Sequence, residues 1–331
     1  MLRLAFMGSD AIALPALNWL ARSTGSGQVV AVFTQPDRAA GRGQKVQANA
    51  IKLWAIERGL PVLQPEKVGA AEQLWLAELK PDLTLVMAYG HILKQDVIDT
   101  PRLGTLNLHT SVLPKYRGAS PIQTAIASGE TETGVTLMRL VRELDAGPVA
   151  DVERVAIEPL DTATEIEARL AQACVPLLAR CLPAIAAGTQ TFTAQNASEV
   201  TFCRRLEKAD GVLDFTQPAA ALAARINGLN PWPGCSIAIN GQTVKLGLAD
   251  VCHLLYDKPS SAGAVLGADT DGLLVDTGRG ILRLRKLQRP GGRMLPAAEF
   301  LRGFPVASGT RLASVPMPAL VGPVPFPFRK A

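Results

Sequence analysis

Histidine and cysteine are scarce in this chain of 331 residues. The three histidines are His91, His109 and His253. The five cysteines are Cys174, Cys181, Cys203, Cys235 and Cys252, with no CxxC pair and no regular spacing. Zinc takes Cys and His ligands at short, fixed spacings, so a zinc site has little to draw on and no metal is expected. Buried free thiols are the expected state, which disfavours a catalytic cysteine. Long apolar runs are also missing, since none approaches the ~20 residues of a membrane-spanning helix. Residues 1–7 run straight into Gly8-Ser9-Asp10 and are too short for a secretory leader. The expectation is a cytoplasmic protein with no membrane partner. The GxGxxG fingerprint of dinucleotide-binding folds is absent as well. The first strand-to-helix turn reads Gly8-Ser9-Asp10-Ala11-Ile12-Ala13, with one glycine, and a nicotinamide dehydrogenase loses most of its support. There is no internal repeat.

At 48% hydrophobic and 19% charged residues, the chain has an ordinary globular composition and can bury a sizeable core. Its length suggests roughly two domains. The charge is uneven. Residues 1–200 carry 18 Lys+Arg against 20 Asp+Glu, and residues 201–331 carry 16 against 9. A near-neutral first part and a basic second part point to a polyanion at the second part. The alternative is charge that serves solubility alone.

Residues 1–187 alternate short apolar runs with helical patterns, the signature of an α/β domain with a mostly parallel sheet. Strands are expected at 2–8, 28–34, 61–63, 83–88 and 103–109, and a hairpin-like pair at 134–141 and 149–157. Helices are expected at 11–22, 51–58, 70–79 and 120–127. A long one at 162–187 should be kinked or interrupted by Pro176 and Pro183. Residues 188–207 are polar and read as a linker. From 208 to 313 short strands dominate, among them a hairpin about Asn240-Gly241, and a small OB-like antiparallel β-barrel is expected. Arg279, Arg283, Arg285, Lys286, Arg289 and Arg293 share one acid-free segment. Alternation along 281–287 puts Arg283 and Arg285 on one face and Leu282 and Leu284 on the other, a basic surface backed by core. Residues 314–331 form a Pro-rich, extended tail.

One stretch carries chemistry. Asn107-Leu108-His109 ends the buried strand at 103–109, and residues two apart on a strand point to one face. Asn107 and His109 should therefore project together at the edge where open α/β sheets bind ligands. An amide donor beside an imidazole can stabilise an oxyanion and move a proton. A half-buried structural histidine and a turn-forming asparagine are the alternative. Asp145, in Leu144-Asp145-Ala146-Gly147-Pro148, falls between two strands and is structural taken alone. Beside a histidine it could orient the imidazole and stabilise its charged form.

Together these residues carry a resemblance. Asn107-x-His109-x-Ser111-x-Leu113-Pro114, Tyr116-Arg117-Gly118-Ala119-Ser120-Pro121 and Leu144-Asp145-Ala146-Gly147-Pro148 resemble the folate-dependent formyltransferases. Three further stretches are similar to the branch of that family acting on methionyl-tRNA. They are Phe33-Thr34-Gln35-Pro36-Asp37-Arg38-Ala39-Ala40-Gly41-Arg42-Gly43, Val86-Met87-Ala88-Tyr89-Gly90-His91-Ile92-Leu93 and Leu229-Asn230-Pro231-Trp232-Pro233-Gly234. The resemblance implies a Rossmann-like formyltransferase domain at 1–187 and a tRNA-binding domain at 208–313. It implies transfer of a formyl group from 10-formyltetrahydrofolate to the α-amine of methionyl initiator tRNA; a monomer is expected. Asn107, His109 and Asp145 match its catalytic trio. Ser111, Val112, Leu113 and Pro114 match its folate-binding segment, and His91, Ile92 and Leu93 line the pterin side. Arg42 matches the arginine that engages the tRNA acceptor end, Lys45 is a phosphate contact in the same loop, and Arg283, Arg285 and Lys286 face the tRNA backbone. The chain departs from the family in its Gly-Ser-Asp first turn, in Val112 within the folate segment and in Lys115-Tyr116. A formyltransferase for a small amine and a non-catalytic RNA-binding protein are the competing expectations.

Overall fold

A computed structural model describes residues 1–23, 27–40, 45–253 and 261–327. They fall into two compact units. The first comprises 1–117, 134–155 and 167–200; the second comprises 118–133, 156–166 and the described residues from 201 onward.

In chain order the strands up to the long helix are β1 (Arg3–Gly8), β2 (Gln28–Phe33), β3 (Arg38–Ala40), β4 (Lys45–Gln47), β5 (Val62–Leu63), β6 (Leu83–Met87), β7 (Thr105–His109), β8 (Arg117–Gly118), β9 (Glu132–Arg139) and β10 (Val149–Ala156). A seven-stranded sheet runs β10-β9-β7-β6-β1-β2-β5, and β3 and β4 form a separate ribbon. β1, β2, β5, β6 and β7 pair in parallel, whereas β7 pairs antiparallel with β9. Every residue of β6 and β7 is buried, the polar Thr84, Thr105, Asn107 and His109 included. The parallel strands bring Gly8, Phe33, Met87 and His109 to one edge, the carboxyl edge where such sheets bind ligands.

The helices of this part are α1 (Leu14–Arg22), α2 (Ala50–Glu57), α3 (Ala70–Glu78), α4 (Gln95–Ile98), α5 (Pro121–Ala127) and α6 (Ala163–Ala186). α2 starts where it does because the Asn49 side chain accepts from the backbone N–H groups of Ile51 and Lys52. α6 differs from expectation. It runs as one helix through Pro176 and Pro183. Leu170, Cys174, Leu177, Leu178, Cys181 and Leu182 are at most 1% exposed along it, and their packing outweighs the backbone donors the prolines lack. Among the described residues α6 is the one helix long and apolar enough to cross a membrane, and half of its apolar window is buried in the protein.

Two further segments depart from the sequence reading. Residues 188–200, read as linker, are built into the first unit. Thr193 exchanges backbone hydrogen bonds of 2.8 Å with Val149, and Phe192 lies under the Arg139 guanidinium at 4.1 Å. Their polarity is spent on specific partners, which composition does not distinguish from solvation. The tail, described to residue 327, is extended but fixed. Leu320 is buried, the Val315 N–H donates to the Leu213 carbonyl at 2.8 Å, and β18 (Val321–Gly322) pairs with β11 (Phe202–Cys203).

The second unit has α7 (Ala219–Gly228), β12 (Cys235–Ile239), β13 (Gln242–Cys252), β14 (Val265–Ala268), β15 (Leu273–Asp276), β16 (Ile281–Gln288), β17 (Leu295–Pro296) and α8 (Ala297–Gly303). Its antiparallel sheet runs β12-β13-β16-β15-β14, with β17 on β16. Asn240 and Gly241 make the β12–β13 turn with φ of 49° and 74°, the left-handed pair a two-residue hairpin requires. Phe215, Leu222 and Ile226 meet Val244, Leu246, Leu282, Leu284 and Leu287 in its core.

Candidate active site

The site is built outward from β7. Leu106 and Leu108 are at most 2% exposed, and the alternate positions Asn107 and His109 are 9% and 6% exposed. Asn107 lies beside Val86 of β6 and Met138 of β9, and His109 lies beside Thr136 of β9. Both side chains thus project from one strand face at the carboxyl edge, as expected from the alternation.

Oxygen atoms hold the imidazole from two sides. Its Nε2 is 2.9 Å from the Tyr116 carbonyl oxygen. A carbonyl only accepts, so Nε2 carries a hydrogen. Nδ1 is 3.7 Å from Asp145 Oδ2, too far for a hydrogen bond but within the reach of charge. Tyr116 sits at φ 60° and Asp145 at φ 48°, so each backbone takes a left-handed turn to present its oxygen. Beyond Asp145, a Cβ on Gly147 would fall 1.8 Å from the Arg139 carbonyl oxygen, so only glycine fits there.

The segment after β7 folds on itself. The Thr136 hydroxyl donates to the Ser111 carbonyl at 2.6 Å and accepts from the Leu113 N–H at 3.1 Å. The Ser111 hydroxyl donates to the Lys115 carbonyl at 2.7 Å, and the residue is fully buried. Ser111 therefore fixes the loop and does not turn its hydroxyl outward. Val112 and Pro114 are half-buried and Leu113 is buried.

Across the sheet edge, His91 packs edge-on to Tyr89 with ring centroids 4.9 Å apart. Burial holds its pKa below the ordinary histidine range, although a hydrogen bond to the Pro65 backbone opposes this. Proline offers only a carbonyl, so a ring N–H donates to it. Nε2, buried and without a hydrogen-bond partner among the described residues, is left as an acceptor. Ile92 is 78% exposed and Leu93 7%.

The first turn ties these segments together. The Gln35 N–H donates to the Ser9 hydroxyl oxygen at 3.0 Å, and the Gln35 side-chain amide donates to the Tyr89 carbonyl at 3.1 Å. Asp37 accepts from Gln64 at 2.7 Å and from Lys52 at 2.6 Å, and these bonds lower its pKa. This network roots the β3–β4 ribbon, in which Ala40 pairs with the exposed Lys45. Arg42 lies between them, outside the described residues. Sequence reading passed over Ser9, Asp37, Lys52 and Gln64, although Gln35 and Asp37 stand inside a quoted stretch.

The basic face of the second unit needs correction. Arg283 and Arg285 do share a face, but Arg283 pairs with Asp250 at 2.7 Å and Asp269 at 3.1 Å, and Arg285 pairs with Asp250 at 2.9 Å. Asp271 lies 3.6 Å from Arg283 and 3.5 Å from Arg285. Two guanidinium groups thus face three carboxylates. The acids come from β13 and from the turn before β15, so the acid-free segment containing the arginines gave no sign of them. Lys286 is exposed. Among the described residues Lys245, Lys286, Arg289, Arg293 and Arg302 are exposed and form no ion pair. No group of three or more His, Cys, Asp or Glu among the described residues could hold a metal ion.

Comparison with known proteins bears on this geometry. Residues 2–182 match the family described as formyl transferase, and residues 205–305 match the formyl transferase C-terminal domain. The methionyl-tRNA formyltransferase of Acidovorax ebreus is 39% identical over 325 residues, covering 95% of this chain and all of that protein. That of Pseudomonas fluorescens Pf-5 is 42% identical over 295 residues, covering 89% and 91%. Among solved structures, the N-formyltransferase from Helicobacter canadensis in complex with folinic acid and dTDP-3-aminofucose superposes with a TM-score of 0.64 at 18% identity, covering 86% of this chain and 99% of that one. HypX from Aquifex aeolicus in complex with tetrahydrofolic acid gives 0.56 at 20% identity, covering 91% and 47%. At those identities the structures speak for the fold. The family matches span most of both units and the curated relatives match nearly from end to end, so this chain belongs to the formyl transferase family.

Proposed function

We propose that this protein transfers the formyl group of 10-formyltetrahydrofolate to the α-amino group of methionyl initiator tRNA, with Asn107, His109 and Asp145 as its catalytic residues. The observation that carries the reading is the pairing on one face of β7. A buried amide and an imidazole share that face, and the imidazole has a carbonyl fixing Nε2 and a carboxylate 3.7 Å from Nδ1.

The free amine attacks the formyl carbon. A new C–N bond forms, the carbonyl oxygen becomes an oxyanion, and the bond from the formyl carbon to N10 then breaks. The Asn107 side-chain N–H donates to that oxyanion. His109, holding its hydrogen on Nε2, takes the amine's proton at Nδ1. Asp145 stabilises the imidazolium that results. The charged ring favours the nearby oxyanion and returns the proton to the departing N10. The folate fits what the chain offers. Residues 111–114 form a braced loop, Ile92 is exposed, and the orphaned His91 Nε2 is an acceptor that a pterin N–H would satisfy.

The first unit is read as catalytic and the second as the tRNA-binding part. In the second, Lys286 with Lys245, Arg289, Arg293 and Arg302 supplies the phosphate contacts, while Arg283 and Arg285 are spent on their own carboxylates. Lys45 of β4 and Arg42, which lies outside the described residues, meet the acceptor end. On this reading the enzyme works in the cytoplasm as a monomer. The test is formylation by purified protein with 10-formyltetrahydrofolate, comparing charged initiator tRNA, charged elongator tRNA and small amines. Initiator methionyl-tRNA should be strongly preferred and His109→Ala should abolish transfer. Full activity of a folded His109→Ala protein would remove the mechanism.

A further inference from the structure

We infer that Gln195 is a positioning residue that joins the two oxygen atoms holding His109 into one unit. The proposal rests on the catalytic reading of His109 and Asp145. Asp145 reaches His109 from a loop, with its own φ at 48°, a left-handed conformation that is costly for most non-glycine residues and least so for Asn and Asp. Within the loop, the Ala146 N–H reaches the Glu143 carbonyl at 3.3 Å, a weak closure. A firmer restraint comes from Gln195. Its side-chain NH2 donates to the Asp145 carbonyl and to the Gly147 carbonyl, each at 2.8 Å, so both of its hydrogens are used on either side of Ala146. Its Oε1 accepts from Arg117 Nε at 3.1 Å and Nη2 at 2.7 Å.

The amide has one possible orientation. Arg117 can only donate and the loop carbonyls can only accept, so reversing the amide would break all four bonds. Arg117 directly follows Tyr116, whose carbonyl holds His109 Nε2. Gln195 therefore bridges the chain segment at Nε2 and the loop at Nδ1, alongside the direct charge interaction of Arg117 with Asp145. Gln195 is itself anchored two residues back, where Thr193 pairs with Val149. A shift of about 1 Å in such a constellation costs on the order of 100-fold in rate without disturbing substrate binding.

Gln195→Glu and Gln195→Ala test this. The carboxylate still accepts from Arg117 but repels the two carbonyls, and alanine keeps neither set of bonds. Both variants should lower kcat by roughly 10- to 100-fold, with KM for the tRNA and for 10-formyltetrahydrofolate little changed. The chain has only three histidines, so imidazole nitrogen NMR can resolve them. The His109 signals should move in Gln195→Glu while those of His91 and His253 stay. Unchanged kcat in both variants, a loss carried by KM, or unmoved His109 signals would each overturn the inference. If Gln195→Ala does not fold, Gln195→Glu alone decides. Asp145→Ala run alongside separates the two readings. If Asp145→Ala is fully active, the catalytic reading itself falls. If it is inactive while Gln195→Glu matches wild type, only the role of Gln195 falls.

Discussion

Asn107 is the residue whose chemistry is simplest to isolate. It is buried on a fully buried strand, so under the proposed mechanism its amide would meet the developing charge without solvent in the way. Asn107→Ala should slow formyl transfer by about 10²–10³, or ~3–4 kcal/mol of transition-state stabilisation, with little change in folate binding. Single-turnover rates with saturating co-substrate measure this, and a loss below about tenfold would take Asn107 out of the oxyanion role. At this scale the sequence was informative where chemistry is local. The alternation in Asn107-Leu108-His109 puts the amide and the imidazole on one face. It could not disclose the Tyr116 carbonyl at Nε2, because a backbone oxygen leaves no mark on residue identity. Gln195 stayed hidden for a related reason: it contacts loops around Asp145 and Arg117, far from it in sequence, and it lies in a stretch whose composition reads as solvated.

The ion-paired face shared by β13 and β16 is an element with its own pH response. Burial alone would raise the Asp250 pKa, but hydrogen bonds from Arg283 and Arg285 outweigh it, and the carboxyl sits below the ordinary aspartate value. Its folded pKa is therefore lower than its unfolded one. The stability it contributes is complete above the unfolded value, near 4, and is lost as pH falls through the lower folded value. Melting temperature recorded from pH 5 down to pH 2 should fall for the wild type, and Asp250→Asn should flatten that slope while lowering stability at pH 7. An identical acid slope in both proteins would assign the acid sensitivity to other groups. The element reading from sequence succeeded on the β13–β16 strands and on the alternation of Arg283 and Arg285. It failed on their partners, because cross-strand register decides which carboxylate stands opposite which guanidinium. α6 shows the converse case, in which two prolines that favour a break are overridden by a buried apolar side.

For the whole molecule the informative quantity is how tRNA binding responds to salt. Phosphate contacts release counterions, so the logarithm of affinity falls linearly with the logarithm of salt concentration. Removing one phosphate-contacting cation reduces the magnitude of that slope by about 1. Lys286→Ala and Arg293→Ala should each do so, whereas Arg283→Ala should leave the slope unchanged and lower the melting temperature. A slope change for Arg283→Ala comparable to that for Lys286→Ala would return Arg283 to the binding surface. The order of α/β and antiparallel parts was legible from the change in pattern near residue 208, and the basic bias of the second part from its charge count. The tail's attachment was not, since its prolines suit both a loose and a fixed extended chain. That attachment bears on how the protein is made. Arg204 donates to the Ala319 carbonyl, 115 residues further along the chain, and the buried Arg225 donates to the Pro318 carbonyl. At about 5–20 residues per second, the ribosome needs roughly 6–23 s to synthesise that separation. Through that interval the second unit lacks its closing strand, and the apolar core that Leu320 completes stays open until the tail is made.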